Sequence, residues 1–151
     1  MQYCISGMRI TKNISYDVGV HIGDGNMYSQ GRTHKITYSG NLNNEKEFYL
    51  EVLKPLIKSV YNTEPKYYER KSDNSVLLVI NSKKLIKFKN KVLGLPIGKK
   101  TEIKIPKQII NKKILLLMCL RGIGDTDFSL SFKKNKKGLY TEPRLIASLS
   151  Y

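Results

Sequence analysis

The sequence predicts an α+β fold in which one unit, a helix followed by paired strands, is used more than once. Two observations lead to it. Two short runs, Gly19-Val20-His21-Ile22-Gly23-Asp24-Gly25 and Gly122-Ile123-Gly124-Asp125-Thr126-Asp127-Phe128, lie about a hundred residues apart, and each closes an apolar stretch with an aspartate. Behind each run the apolar spacing changes from helical to alternating, as expected where a helix hands over to a half-buried strand.

The first unit reads helix, two strands, helix, two strands, helix. A helix is expected from about Ser15 to Ile22, with Asn13 or Ser15 as cap and Gly23 and Gly25 ending it. Strands follow at Asn26 to Gln30 and His34 to Ser39, joined through Gly31 and Arg32 and broken at Gly40-Asn41. From Asn44 to Tyr61, Phe48, Val52, Leu53, Leu56, Ile57 and Val60 recur at helical spacing, with Asn43 or Asn44 as cap and a kink expected at Pro55. A second hairpin pairs Lys66 to Ser72 with Ser75 to Asn81 around Asp73-Asn74, and the near-continuous aliphatic run of its second strand predicts burial on both faces. Ser82 then caps a short helix through Leu93, whose apolar face is Leu85, Ile86, Phe88 and Val92 and whose lysines lie around it.

After a connector holding Gly94, Pro96, Gly98 and Pro106, the pattern restarts. Ile110 to Ile123 reads as a second apolar helix ending at Gly124-Asp125-Thr126-Asp127, Phe128 to Lys133 alternates as a strand, Asn135 to Gly138 turns, and Arg144 to Ser150 alternates back. The organisation is therefore αββαββα over residues 1–109, connector included, and a partial αββ unit over residues 110–151. By the pattern of the first unit another helix, hairpin and helix should follow, so a piece of a longer chain is expected, with weak DNA binding and poor cleavage by the piece alone.

Composition narrows the partners. The chain has 27 Lys and Arg against 12 Asp and Glu, a formal charge of +15 over 151 residues, which points to a polyanion. The basic residues are interleaved with Tyr and Thr in strand-like segments, favouring nucleic acid over a membrane surface. The longest apolar stretch, Ile114 to Leu120, is far short of the roughly 20 residues that span a bilayer. Residues 1–11 lack a signal-peptide apolar region, and an intracellular location, cytoplasm or organelle, is expected. Cys4 and Cys119 have no Cys or His at zinc-site spacing, so Cys119 reads as a buried thiol. His21 reads as a packed core residue, and His34 as a residue able to reach a phosphate.

Laid on a nine-letter motif, Asp17-Val18-Gly19-Val20-His21-Ile22-Gly23-Asp24-Gly25 and Leu120-Arg121-Gly122-Ile123-Gly124-Asp125-Thr126-Asp127-Phe128 both resemble that of the LAGLIDADG homing endonucleases, and the element order resembles that family over nearly the whole chain. Ile22 replaces the usual inner Asp of the first copy, and Phe128 the usual final Gly of the second. The eighth-position acid is kept in both, as Asp24 and Asp127. The resemblance implies that the two motif helices lie side by side about a pseudo-twofold axis, with Gly19, Gly23 and Gly122 at their interface. It also implies that Asp24 and Asp127 are metal ligands and catalytic residues for phosphodiester hydrolysis with Mg²⁺ or another divalent metal. Asp125, half a turn from Asp127, reads as a helix-end or packing residue. A lysine near the metal is implied too, with Lys104 as first candidate and Lys100 as second.

An antiparallel sheet along the major groove is the implied DNA grip. Its expected contacts are Arg32, His34, Lys35 and Thr37 from the first hairpin, Lys66, Tyr68, Arg70 and Lys71 from the second, and Lys133, Lys134, Lys136 and Lys137 beside the second motif. The resemblance thus implies a site-specific, intron-encoded endonuclease acting on double-stranded DNA, monomeric with pseudo-twofold symmetry at full length. A maturase binding intron RNA and a non-cleaving DNA-binding relic or regulator of the same fold are the alternatives.

Overall fold

The computed structural model describes residues 9–100, 103–134 and 140–147, with side chains placed for 9–100 and 103–128. The first helix, α1 (Lys12–Gly23), starts three residues earlier than its apolar pattern suggests, because Thr11 is its cap: the Thr11 hydroxyl accepts from the Ile14 amide at 3.3 Å. Strands β1 (Gly25–Gln30) and β2 (Thr33–Asn41) follow, and β2 continues through Gly40 rather than breaking there. Asn41, not Asn43 or Asn44, caps the next helix, its side-chain oxygen accepting from the amides of Asn43 and Asn44 at 3.0 and 3.2 Å.

That helix runs as α2 (Leu42–Glu47), a π-helical stretch Phe48–Leu53, and α3 (Lys54–Tyr61). Pro55 lacks an amide hydrogen and sits in the first turn of α3, directly after the widened stretch, so the irregularity expected at this proline lies just ahead of it. The second hairpin is β3 (Lys66–Arg70) and β4 (Ser75–Asn81). Then α4 (Lys83–Lys87), capped by the Ser82 hydroxyl at 3.2 Å from the Leu85 amide, passes into a second π-helical stretch, Phe88–Val92. A short α5 (Lys107–Ile110) precedes α6 (Lys113–Asp127), which runs four residues past Ile123 and makes Asp127 its last helical residue. Strands β5 (Phe128–Lys134) and β6 (Tyr140–Ala147) pair as an antiparallel hairpin.

The four strands of the first unit form one antiparallel sheet in the order β1-β2-β4-β3. Its register decides which residues share a face, since side chains alternate along each strand and paired residues point the same way. One face carries Met27, Ile36, Tyr38, Val76, Leu78 and Ile80, all buried against the helices. The other carries Asn26, Tyr28, Lys35, Thr37, Ser39, Leu77, Val79, Lys66, Tyr68 and Arg70. Leu77 is on this outer face and still only 7% exposed, so β4 is largely covered on both sides.

The core under the sheet is closed by Ile14, Val18, Leu53, Ile57, Leu85 and Phe88. It also holds an ion pair with no exposure at either end: the Lys89 ammonium donates to Asp17 Oδ2. Tyr38 and Tyr61 donate their hydroxyls to the same carboxylate, each at 2.5 Å, and Lys89 also donates to the Tyr38 hydroxyl at 2.7 Å. Lys89 therefore departs from the reading of this helix as apolar on one side with solvated lysines elsewhere. It turns inward because the carboxylate of Asp17 waits there, and a buried cation is tolerated only when paired and hydrogen-bonded.

Candidate active site

Helices α1 and α6 cross at their glycines. A Cβ on Gly19 would overlap the carbonyl oxygen of Cys119 and lie 2.9 Å from Gly122 Cα, while one on Gly122 would lie 2.9 Å from the Val20 amide nitrogen. Farther along, a Cβ on Gly23 would meet the side chain of Thr126 and lie 3.2 Å from Asp127 Oδ2. Backbones this close leave no room for side chains at Gly19 and Gly122, so these two glycines set the spacing of the helices, while Gly23 makes room for the Thr126 side chain. Asp125 ties the same interface from its rim: the Tyr16 hydroxyl donates to Asp125 Oδ2 at 2.6 Å, and Arg121 approaches that oxygen at 3.7 Å.

At the end of this crossing the structure brings Asp24 and Asp127 within electrostatic reach. Asp24 follows the last residue of α1 and its amide bonds back to Val20 and His21, which holds the carboxylate at the helix terminus. The Tyr49 hydroxyl, from the π-helical stretch, donates to Asp24 Oδ2 at 2.8 Å. Burial, with the nearby Glu45 and Asp127 carboxylates, pushes the Asp24 carboxyl up to about 7, against the pull of the Tyr49 hydrogen bond and the Lys100 charge. Asp127 is also raised by burial, again opposed by Lys100.

Of the two candidate lysines, Lys100 lies beside the carboxylates. Its ammonium donates to the carbonyl of Ile22 at 2.9 Å and to that of Gly23, so it is anchored on the last turn of α1. Burial lowers its pKa, and the charges of Asp24 and Asp127 act the other way. Lys104, the first candidate from sequence, is exposed and makes no hydrogen bond or ion pair with the site among the described residues. The distinction was hidden in sequence because the connector holds several lysines and only its folded path decides which one returns to α1.

His21 is buried beside Tyr38, with ring centroids 5.6 Å apart, and burial holds it well below the usual histidine range, so it is a neutral core residue. Cys119 is a free thiol pushed up to about 11 by burial. No group of three or more His, Cys, Asp or Glu side chains poised for a metal occurs among the described residues. A metal would thus have two carboxylates to use, a hard oxygen set that suits a divalent cation sharing its shell with phosphate oxygens and water. Both carboxyls are raised chiefly by burial, with Lys100 opposing the rise at each.

The burial of Asp24 has a stability consequence. Because the folded-state pKa of Asp24 lies above its unfolded value of 3.8, the carboxyl is comfortable while protonated and costs stability as pH rises through about 7. In chelator, Asp24→Asn is therefore expected to match the parent at pH 4 and exceed it at pH 8 by about 2–4 kcal/mol in urea unfolding. A variant no more stable at pH 8 would contradict the burial of this carboxylate.

The outer face of the sheet is the basic surface. Lys35, Thr37, Lys66, Tyr68 and Arg70 lie on it, and Arg32 and Lys71 stand exposed at the two hairpin turns. Thr37, Lys35 and Arg70 line a concavity of about 610 Å³ together with Asn26, Tyr28, Thr33, Ser39, Asp73, Ser75 and Leu77. His34 shares the parity of Ile36 and Tyr38; it lies 2.8 Å from the Ser29 hydroxyl and lines a second concavity, of about 350 Å³, with Arg32 and Lys83. Lys133 and Lys134 lie in β5, where the backbone alone is described, and Lys136 and Lys137 fall outside the described residues. Strand parity alone would have added Asn26, Tyr28 and Ser39 to the outer face, whereas nothing local marks Tyr49 as a partner of Asp24.

No protein-family model matches the chain, and no curated protein sequence does. Solved structures do. I-DmoI in complex with DNA and Mn superimposes with a TM-score of 0.54 at 19% identity, over 83% of this chain and 71% of that one. An I-DmoI variant with its target DNA nicked in the coding strand gives 0.56 at 17%, over 78% and 62%. A mutant of I-SmaMI gives 0.51 at 13%, over 91% and 65%, so the chain spans less than two thirds of two of these three neighbours. Identities this low speak to architecture: the chain has the LAGLIDADG homing endonuclease fold.

Proposed function

We propose that the protein is a site-specific endonuclease that hydrolyses phosphodiester bonds of double-stranded DNA with a divalent metal, Mg²⁺ foremost, and that it is encoded within an intron and works inside the cell. One observation carries the reading: two carboxylates, Asp24 and Asp127, are held together at the end of glycine-spaced helices while a basic, concave sheet face lies alongside in the same unit. The neighbours solved with DNA and with Mn, Ca or Mg support it.

Asp24 and Asp127 would hold the cation, which when bound supplies Lewis-acid polarisation of a phosphodiester and activation of water. The chain's own groups do the rest. Tyr49 keeps one oxygen of Asp24 occupied and so orients the other. Lys100, anchored on the carbonyls that end α1, places a positive charge beside both carboxylates, where charge builds on the phosphate during displacement. Lysines and arginines of the sheet would hold the backbone and give steeply salt-dependent binding.

The test is cleavage of plasmids carrying the DNA that flanks the gene, by the full-length natural chain, with Mg²⁺ or chelator. Cutting in Mg²⁺ is expected, with loss in chelator and a fall of at least about a thousandfold in Asp24→Asn. Equal cutting by the chelated or substituted protein would refute the metal assignment, and binding to intron RNA without duplex DNA would favour a maturase.

A further inference from the structure

We infer that Gly40 is a positioning residue of the cleavage site: the side chain it lacks leaves the seat from which the Tyr49 hydroxyl holds Asp24, a role that rests on the two-carboxylate metal reading above. Nothing in the strand itself asks for glycine there. β2 pairs with β4 straight through this position, with Gly40 opposite Val76. Nor does the backbone need one, since positive φ occurs at Gly31, Gly94 and Gly98 among the described glycines and not at Gly40. A glycine in a strand interior forgoes side-chain packing and adds chain entropy to the unfolded state, so it marks a place where another group comes close.

Two side chains come close here. Gly40 shares the inward parity of Ile36 and Tyr38, so its bare side faces the helices. A Cβ on it would meet Glu45 Oε2 and would lie 2.8 Å from Tyr49 Cε2 and 3.0 Å from the Tyr49 hydroxyl oxygen. Both side chains are already engaged. Glu45 accepts from the amide of Asn41, the cap of α2, while Tyr49, fully buried, donates to Asp24 Oδ2 at 2.8 Å. The Asp24 carbonyl in turn accepts from the amide of Ser39, the residue before Gly40, at 3.1 Å. Carboxylate, hydroxyl and glycine therefore occupy one corner of the fold.

The kind of obstacle sets Gly40 apart from Gly19. At Gly19 an added Cβ meets backbone, whereas at Gly40 it meets the ends of two side chains, which can move while strand and helix stay in place. An alanine therefore keeps the fold and tilts the Tyr49 hydroxyl away from Asp24. Released from that bond, the carboxylate gains freedom that a bound cation has to remove. Loss of such outer partners weakens metal binding or activity by about ten- to a hundredfold.

The test compares the full-length natural chain with Gly40→Ala, Tyr49→Phe and the double variant. Mn²⁺ binding is read from the electron paramagnetic resonance signal of the free ion, and plasmid cleavage is followed against Mg²⁺ concentration. Each single variant is expected to weaken Mn²⁺ binding, and to raise the Mg²⁺ needed for half-maximal cleavage, by about tenfold or more. Circular dichroism and duplex affinity in chelator should stay near the parent's. The double variant should be little worse than Tyr49→Phe alone, because Gly40 acts through the hydroxyl. Parental metal affinity in Gly40→Ala, a double variant that shows the full product of the two losses, or an alanine protein that does not fold would each overturn the inference and leave the endonuclease reading intact. A parent that neither binds Mn²⁺ nor cuts would overturn that reading and the inference with it.

Discussion

Gly19→Val is expected to unfold the protein partly and abolish cleavage, losing about 3 kcal/mol or more of stability. The new side chain would meet the Cys119 carbonyl oxygen and the Gly122 backbone, and backbone cannot swing aside as a side-chain tip can. Relief requires α1 and α6 to separate, and the carboxylates at their ends separate with them. Gly19→Ala should show the same sign with a smaller loss. The control is Gly31, in the β1–β2 turn, where φ is +55° and a Cβ meets nothing within 4 Å. Gly31→Asn, a residue that tolerates this conformation, should leave both stability and cleavage near the parent values. Urea unfolding and a nicking assay on the same preparations check all three. A Gly19→Val protein that folds and cuts normally would show that the helices do not need their close approach.

The element order of the first unit was readable from sequence because each of its features is local: an aspartate or glycine at a helix end, a cap before an apolar run, alternation in a strand. Boundaries were less so. Thr11 takes the cap in place of Asn13 or Ser15, and α6 starts at Lys113 after the separate turn of α5 rather than at Ile110. The candidate site was readable where one motif residue sufficed, as for the two aspartates that the fold brings together. It was not readable where distant segments meet. Nothing around Lys100 distinguishes it from Lys104, and Tyr49 looks like any aromatic on an amphipathic helix until the π-helical stretch turns its hydroxyl to Asp24. His34 shows what strand parity adds: it sends the ring to the side of Ile36, where it lines an opening with Arg32 and Lys83 rather than the outer concavity.

Lys89 presents the largest departure from its local pattern, and removing it should show why it is buried. Lys89→Ala is expected to cost about 3–5 kcal/mol, because it strands the Asp17 carboxylate in a site with no exposure and leaves it only the two tyrosine hydroxyls. The pair itself need not stabilise the fold. Burial lowers the lysine's pKa even with Asp17 beside it, so desolvation takes back much of what the attraction provides. Asp17→Asn combined with Lys89→Met removes both charges, keeps an acceptor oxygen for one tyrosine hydroxyl and an amide donor for the other, and roughly preserves volume. This double variant should recover more than half of the loss, with urea midpoints measured at pH 7 giving the coupling. If it is no better than Lys89→Ala, the ion pair is itself a source of stability. The double variant should also cut DNA at nearly the parent rate, since Asp17 lies in the middle of α1, about two turns before Asp24, and its hydrogen bonds go to Tyr38, Tyr61 and Lys89 in the core. A cleavage loss far beyond the stability loss would instead mean that the buried pair sets the position of α1 against the sheet, and with it the distance between the two carboxylates.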